Sequence, residues 1–578
     1  MRKKCGKIDN YDINKNISCY GWISKYRNIG KIIFINIRDN TGFIQVVFNN
    51  TNKKIFSLAQ SLRNEFCIKV SGFVKKRSQN NRNLNVKTGK FEIYAKKLKI
   101  YNKSKKFPFN VDNKKTKKIN LKFRYLDIRI NKKIIKNLKT KNKVIHIITN
   151  FMYKNKFLNV ETPVLTKSTP EGARDYLVPS RIKKKNFYAL PQSPQIFKQL
   201  LMIGGIDKYY QIAKCFRDED LRSNRQPEFT QIDLESSFVN SKKIIKISEK
   251  IIHDIWLKTK NVKLKKIPRI SFKKSIKKFG SEKPDLRCNI KLINLKKIFQ
   301  HYSLKKNFKH IISLKFPKGS NVHINILKKF INFFKKNKIN NITFIKIKNF
   351  SLKKFSIFGE FSKFLRKSSI LEIINKHKSK NKDLIFLASN NKKNIYTIFG
   401  EIRNKIINVI RKKKSNKWSP IWITKFPLFK KKKNDILSSM HHPFTAPLKK
   451  YNIKDIKNNP EKIISDSYDL IINGHEIGGG SVRINNRKMQ ELIFKMIGIN
   501  SKKQKKSFNF FLKALEYGTP PHAGIAFGLD RIIMLLNNTK NIKNTIAFPK
   551  NTSSVCKTTN APNKIKKTDL NDFGLKFL

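Results

Sequence analysis

Cysteine is sparse and scattered. The six in this chain of 578 residues (Cys5, Cys19, Cys67, Cys215, Cys288 and Cys556) form no C-x-x-C pair, which argues against a zinc site and a disulfide framework and suits a reducing compartment. Long hydrophobic runs are missing too. No stretch of about eighteen apolar residues occurs, and Met1 to Ile8 is charged without an apolar h-region, so no membrane span and no export signal are expected and the cytoplasm is the expected location. Acidic residues are far outnumbered by basic ones: 36 Asp plus Glu face 129 Lys plus Arg, and the net charge of +93 implies a salt-sensitive attraction for polyanions, nucleic acid first. Gly (22) and Pro (19) are each outnumbered by Phe (44), and Lys, Asn and Ile crowd every row, as AT-rich codon drift would leave them. Charge therefore supports a substrate class without assigning one, and the motifs must do that.

The chain is too long for a single hydrophobic core. Five short β-rich runs, Cys19 to Ser24, Ile32 to Arg38, Phe43 to Phe48, Cys67 to Val74 and Lys90 to Ala95, are separated by Gly and Asn turns and predict a small barrel of the OB type. Such a barrel stacks unpaired bases on aromatics beside cations, and Arg27, Phe34, Arg38 and Gln45 are the available types. A Lys- and Asn-rich linker follows from Asn102 to Lys118. Motifs are dense from 121 to 287, nearly absent from about 289 to 415, and resume at Trp418, which predicts a catalytic body split by an insertion. The expected division is 1–105 barrel, 106–122 hinge, 123–288 first catalytic segment, 289–416 insertion, 417–560 second catalytic segment and 561–578 tail.

The segment Lys208 to Phe238, KYYQIAKCFRDEDLRSNRQPEFTQIDLESSF, reads as a long hairpin. Alternation places Phe229, Gln231, Asp233 and Glu235 on one face, aligned with Gln211, Ala213, Cys215 and Arg217. A solvated sheet face is the ordinary explanation of such a row, but apolar neighbours make it costly to bury unless a polar ligand satisfies it. A second hairpin, Tyr468 to Ile484, reads YDLIINGHEIGGGSVRI, and Asn473-Gly474 signals a two-residue turn. Pairing Ile472 with His475 then sets Ile471 opposite Glu476 and makes Asp469 and Glu476 diagonal neighbours able to hold Mg²⁺. Strict alternation turns Arg483 away from Glu476, so a bulge within Gly478, Gly479 and Gly480 is expected if both reach one ligand.

PQSPQIFKQLLM (Pro191 to Met202) predicts a helix capped by Ser193 with Pro194 in its first turn, presenting Gln195 and Lys198 together. GIAFGLDRIIMLL (Gly524 to Leu536) predicts a strand, a turn at Gly528 and a helix with Leu529, Ile532, Ile533 and Leu536 inward. Arg531 sits in its first turn, where the helix dipole disfavours a cation, which hints at an anionic ligand. His441 and His442 in MHHPFTAP are adjacent and lack a third ligand nearby, so a substrate-contacting loop is favoured over a metal site.

These residues resemble a known family. FRDEDLRSNRQPEFTQIDLE is similar to motif 2 of bacterial-type aspartyl-tRNA synthetases, GIAFGLDR to their motif 3, and VETPVLTKSTPEGARDY (Val160 to Tyr176) to motif 1 and the mobile loop. The similarity extends through Met1 to Phe48, Phe123 to Arg129, the KPDLR of Lys283 to Arg287, and Trp418 to Pro549. The resemblance implies an α+β fold: a class II antiparallel sheet with flanking helices, an N-terminal OB-fold and an α/β insertion domain, assembled as a homodimer. It implies that aspartate meets Glu171, Ser193, Gln195, Lys198, Arg217, Gln231, Asp233, His441, His442 and Arg483. It gives ATP to Arg217, Asp218, Glu219, Gln226, Phe229, Glu476, Gly528, Leu529, Asp530 and Arg531, Mg²⁺ to Asp469 and Glu476, and anticodon bases to Arg27, Phe34 and Gln45.

The implied activity joins L-aspartate to tRNA(Asp) through an adenylate, with Glu171, Lys198, Arg217, Arg483 and Arg531 as the principal catalytic groups. Arg483 and Lys198 should select the side-chain carboxylate over an amide, and Phe229 and Arg531 should sandwich adenine. Two departures stand out: Asn28 where the family has Asp, and Lys425 where an acidic residue is usual. Two alternatives are a relaxed ligase that also charges tRNA(Asn), against which Ile29 argues, and an inactive tRNA-binding paralogue.

Overall fold

In the computed structural model the described residues are 1–109, 120–169, 172–299, 309–349, 354–360, 362, 365–392, 394–410, 418–431 and 436–576. The chain divides into two compact units, Met1–Ile135 and Lys136–Leu578. The expected linker falls largely on residues outside the described set.

The first unit is a closed barrel of Asn16–Asn28, Ile32–Arg38, Phe43–Asn49, Cys67–Lys76 and Phe91–Asn102, in the lateral order first, second, third, fifth, fourth. Alternate residues Ile17, Cys19, Ile33, Ile35, Ile37, Ile68 and Val70 point inward and are buried. The Lys53–Gln60 helix, capped by Asn52, adds Phe56 and Ala59 to this core. The first and last strands run beyond the apolar alternation that announced them. Arg27 still pairs with Phe34, and Lys97 and Lys99 with Ser71 and Lys69, because ladder hydrogen bonds require no apolar side chain.

The second unit is built on an eight-stranded sheet in the order Arg269–Ser271, Pro420–Thr424, Ser467–Ile472, His475–Val482, His522–Gly528, Glu228–Ser237, Lys208–Phe216 and Leu158–Asn159. The two outermost strands pair parallel and the interior is antiparallel. One face is covered by helices: Ile244, Ile251, Ile255 and Trp256 of Ser241–Lys260, and Leu529, Ile532, Ile533 and Leu536 of Leu529–Leu536, pack on Ile232, Leu234, Leu470 and Ile525. Apolar residues at helical spacing thus meet apolar residues at strand spacing, which leaves the other sheet face for polar groups.

In sequence between Arg269–Ser271 and Pro420–Thr424 comes a separate five-stranded sheet, ordered Leu292–Asn294, His310–Phe316, Leu384–Asn390, Ile342–Asn349, Lys354–Gly359. Ile312, Leu314 and Phe386 pack under Ile324–Lys336 and Ile395–Ile410 on one face, while Ile311, Ile385 and Leu387 pack under Lys367–Lys376 on the other. Burial on both faces explains why its strands read as near-continuous apolar runs with no alternation. Among the described residues no helix is long and apolar enough to cross a membrane.

Candidate active site

The hairpin register matches the alternation read from the sequence. Phe229 lies opposite Cys215, Gln231 opposite Ala213 and Asp233 opposite Gln211, so their side chains share one face, and Phe229, Gln231 and Asp233 line a cavity of about 430 Å³. Asn473 (φ 56°) and Gly474 (φ 82°) form the second turn, pairing Ile472 with His475 and Ile471 with Glu476. The expected bulge is present one residue early: the register slips so that Ile477, ahead of the glycines, is the extra residue. Beyond it Glu476 and Arg483 both border the cavity. Gly479 faces Asp469, and a Cβ there would lie 2.9 Å from Asp469 Oδ1 and 3.8 Å from Glu476 Oε1, so a bare backbone is what gives these carboxylates room.

At one end of the cavity two cations and two carboxylates interlock. The Gln195–Ile203 helix delivers Lys198, whose Nζ lies 2.7 Å from Asp233 Oδ1 and 3.1 Å from Glu235 Oε2. Arg483 donates through Nε and Nη2 to Glu235 at 2.8 and 3.0 Å, and through Nη1 to Ser481 Oγ at 2.8 Å, with His442 Nε2 2.5 Å from Nη1. Burial alone would raise the Glu235 carboxyl, but Arg483 and then Lys198 outweigh it and hold it at about 2. Asp233 moves the other way, raised chiefly by burial against the pull of Lys198. Burial takes His442 well below the usual imidazole range, and Arg483 pushes it further down. Its ring is neutral beside the Arg483 guanidinium.

Toward the other end, Arg217 Cζ stands 5.1 Å from the Phe229 ring centroid, and Glu219 pairs with Arg225 at 3.0 Å. Gln226 is buried, its Oε1 accepting from the Lys550 backbone at 2.8 Å. Arg531 Nη1 donates to the Glu476 carbonyl at 3.0 Å and stands 3.9 Å from that carboxylate, which offsets its unfavourable place in the first helical turn. Glu476 Oε2 meets Lys283 Nζ at 2.7 Å, and Asp469 Oδ1 meets His441 Nε2 at 3.0 Å. Burial would raise Glu476, yet Lys283 and Arg531 bring it down to about 2. Gln195 Nε2, Asp233 Oδ2 and His441 Nδ1 are buried without a hydrogen-bond partner among the described residues, and all three residues line the cavity, as a site built for a polar ligand requires.

The cavity gathers Ser193, Gln195, Lys198, Arg217, Glu219, Gln226, Phe229, Gln231, Asp233, His441, His442, Asp469, Glu476, Gly528, Asp530 and Arg531 with Arg483. One expectation needs correction. Ser193 precedes the helix and does not cap it, because Pro194 takes the cap position. Asp218 is exposed and does not line the cavity, and its backbone N–H bonds the Arg174 carbonyl instead. Leu529 is fully buried in the helix–sheet core. Asp530 borders the cavity, but its carboxylate is taken by Lys141 Nζ at 2.7 Å and the Thr230 N–H at 3.2 Å, so it anchors a helix. Glu171 lies outside the described residues.

Two neighbours were not singled out from the sequence. Glu235 had been placed on the right face by alternation, but only depth shows that it pins Arg483. Lys283 belongs to a segment noticed for its resemblance alone, and nothing local announces its reach to Glu476. Among the described residues no three His, Cys, Asp or Glu groups converge as a metal cage. Asp469 and Glu476 alone fit Mg²⁺, which takes one or two carboxylates and completes its shell with water and phosphate oxygens.

In the barrel, Arg27, Phe34 and Gln45 line a groove of about 350 Å³ with Lys25, Arg77 and Thr88. Arg27 Cζ stands 5.7 Å from the Phe34 centroid, and Gln45 Nε2 donates to Glu92 at 2.9 Å. Arg38 does not line it. Its guanidinium is held by Glu65 at 2.9 Å.

The family model for class II tRNA synthetases (D, K and N) matches residues 116–552, and that for an OB-fold nucleic acid binding domain matches 17–101. The chain is 49% identical over 588 residues to an aspartate–tRNA ligase of Buchnera aphidicola subsp. Schizaphis graminum, covering 100% of both chains. It is 48% identical over 573 residues to that of Buchnera aphidicola subsp. Baizongia pistaciae, covering 97% of this chain and 99% of the relative. A crystal structure of asparaginyl-tRNA synthetase from Pyrococcus horikoshii complexed with asparaginyl-adenylate superposes with a TM-score of 0.59 at 19% identity, covering 95% of this chain and 98% of that one, a likeness of fold.

Proposed function

The chain belongs to the aspartate–tRNA ligases, class II synthetases with an OB-fold anticodon domain, and on that premise we propose how its residues divide the work. The observation that most supports this reading is that Lys198, Arg217 and Arg483 line one cavity with Asp469 and Glu476. Lys198 and the outer edge of Arg483 take the side-chain carboxylate of aspartate, and the unpartnered Asp233 Oδ2 accepts from its ammonium group. An asparagine amide would bring donors against donors there, a mismatch worth up to roughly 10⁴-fold in discrimination.

The α-carboxylate of aspartate attacks the α-phosphorus of ATP in line, displacing pyrophosphate, while Arg217 stabilises the charge that builds on the phosphoryl oxygens. Phe229 and Arg531 hold adenine between a ring and a guanidinium. Asp469 and Glu476 would hold Mg²⁺, which would supply charge neutralisation along the triphosphate. The terminal ribose 3′-hydroxyl of tRNA(Asp) then attacks the adenylate carbonyl and AMP leaves. No group of the chain becomes covalently attached, so positioning dominates both steps.

Arg27, Phe34 and Gln45 read anticodon bases. The exposed Leu158, Val164 and Leu165 beside motif 1 suit burial against a second copy, hence a homodimer. The cytoplasm is its compartment.

Aspartate-dependent ATP–pyrophosphate exchange tests the first half-reaction, and an aminoacylation panel with tRNA(Asp) and tRNA(Asn) tests the second. Absence of exchange would sink the reading and leave the inactive paralogue. Equal charging of both tRNAs would make the enzyme non-discriminating.

A further inference from the structure

Lys283 approaches the carboxylates from a segment outside the hairpins, and that segment is fixed with unusual thoroughness. Ser275 Oγ donates to the Ser281 carbonyl at 2.6 Å, the Lys283 N–H donates to Ser281 Oγ at 3.0 Å, and Arg287 grips the Asp285 carboxylate through Nε at 2.8 Å. The main anchor comes from the helix Ile395–Ile410. Arg403, fully buried there, donates through Nε to the Ile290 carbonyl at 2.8 Å and through Nη2 to the Asp285 carbonyl at 2.6 Å. Burying a guanidinium on backbone carbonyls is costly, and what it achieves is to hold the 285–290 backbone in place. From this fixed segment Lys283, 39% exposed on a flexible stem, reaches with its ammonium to 2.7 Å from Glu476 Oε2 and 3.6 Å from Glu282 Oε1.

The charge pattern gives the lysine its job. Asp469 and Glu476 share the space that Gly479 leaves bare, and two carboxylates so close repel unless a cation stands between or beside them. When Mg²⁺ bound to ATP arrives it supplies two positive charges at the same carboxylates, and a neighbouring ammonium then becomes superfluous there. The triphosphate, meanwhile, brings several negative charges within reach of it.

We propose that Lys283 is a displaceable counter-cation: it neutralises Glu476 in the nucleotide-free enzyme and passes to the phosphates of ATP when Mg²⁺ takes its place. This rests on the reading of the cavity as an ATP site. Lys283 would thus keep the carboxylate pair ordered before substrate binds, discourage bare metal from occupying it, and add a phosphate contact afterwards.

The test compares wild type with Lys283→Met and Lys283→Arg. Mn²⁺ binding to the nucleotide-free enzyme, read from the free-ion EPR signal, is expected to tighten about tenfold in Lys283→Met, because a competing charge is gone. KM for ATP at saturating Mg²⁺ is expected to rise about tenfold in the same variant while KM for aspartate stays put, with Lys283→Arg restoring much of both. Unchanged or weaker Mn²⁺ binding in Lys283→Met overturns the proposal, as does an unchanged KM for ATP. Lys283→Gln repeats the comparison should the Met variant misfold. Failure of wild type to exchange pyrophosphate would instead overturn the functional reading, and the Mn²⁺ comparison would still decide the role of the lysine.

Discussion

Glu235 and Arg483 form a buried two-point pair, Nε to Oε1 at 2.8 Å and Nη2 to Oε2 at 3.0 Å. The Nε–Nη2 edge of the guanidinium is therefore occupied from within and Nη1 is engaged by Ser481 and His442, which leaves the second Nη2 N–H to face a substrate carboxylate. Glu235→Gln keeps the volume but replaces an ion pair with an amide that offers one acceptor, leaving Arg483 under-held. Since breaking a buried pair costs about 3 kcal/mol or more, kcat/KM for aspartate is expected to fall roughly a hundredfold in pyrophosphate exchange, with KM for ATP nearly unchanged. A wild-type KM for aspartate in this variant would remove Glu235 from the positioning role.

Arg483→Leu goes further, since it deletes the donors themselves. Aspartate activation is expected to vanish while tRNA affinity, measured by filter binding, stays close to wild type, because the residues proposed to read the anticodon line a groove in the barrel. Retained exchange activity would defeat the account of specificity.

Much of this site was legible in residue spacing. Period-two alternation placed Gln231 and Asp233 on one face, and the Asn473-Gly474 turn fixed Asp469 and Glu476 as diagonal neighbours, because strand geometry converts spacing directly into direction. The bulge followed from requiring Glu476 and Arg483 to share a ligand, but its place at Ile477 did not, since packing chooses which residue is extruded. Glu235 and Lys283 escaped for another reason. Their roles depend on partners 248 and 193 positions away, and no local pattern encodes which charge a buried carboxylate will meet. The barrel strands are legible as apolar alternation, but their ends are not, because backbone pairing outlasts that alternation at Arg27 and Lys97. The motif-poor stretch between 289 and 415 contains a sheet covered on both faces, where alternation has nothing to report.

Gly479→Ala tests the space that the carboxylate pair needs. The new Cβ would fall 2.9 Å from Asp469 Oδ1, closer than such contacts are found, so the buried carboxylate must shift. A cost of about 1–3 kcal/mol is expected, felt as a higher Mg²⁺ concentration for half-maximal exchange and a higher KM for ATP, with aspartate affinity little affected. An unaltered Mg²⁺ dependence would show that Asp469 is not a metal ligand.

His377 makes the stability of the five-stranded sheet depend on acid. It is buried, with Nε2 2.7 Å from Ser313 Oγ, and burial first, then Lys315, hold it down at about 3 against 6.5 when unfolded. Between those values only the unfolded chain binds the proton, so stability rises with pH through this window and is lost as pH falls below about 6.5. At pH 5 the loss is about 2 kcal/mol. Hydrogen exchange of the 310–316 and 384–390 strands should accelerate from pH 7 to pH 5, after correction for intrinsic rates, and His377→Gln should flatten that dependence. An equal acceleration in the variant would place the sensitive group elsewhere.

Phe34 and Arg27 allow the anticodon reading to be tested apart from the chemistry. Phe34 is half-buried at the groove with the Arg27 guanidinium 5.7 Å from its centroid, an arrangement in which a base can stack on the ring beside a cation. The barrel core is made by the alternate residues Ile33, Ile35 and Ile37, so Phe34→Ala should leave the fold intact. Losing a stacking platform costs about 1–3 kcal/mol per base, and tRNA(Asp) binding is expected to weaken by roughly five- to a hundredfold. Arg27→Ala should instead weaken binding with a smaller salt dependence, since a phosphate-attracting charge is lost. In neither variant should tRNA-free pyrophosphate exchange change, because adenylate formation needs no anticodon. If Phe34→Ala bound tRNA(Asp) as well as wild type, the groove around Phe34 would not be where the bases stack.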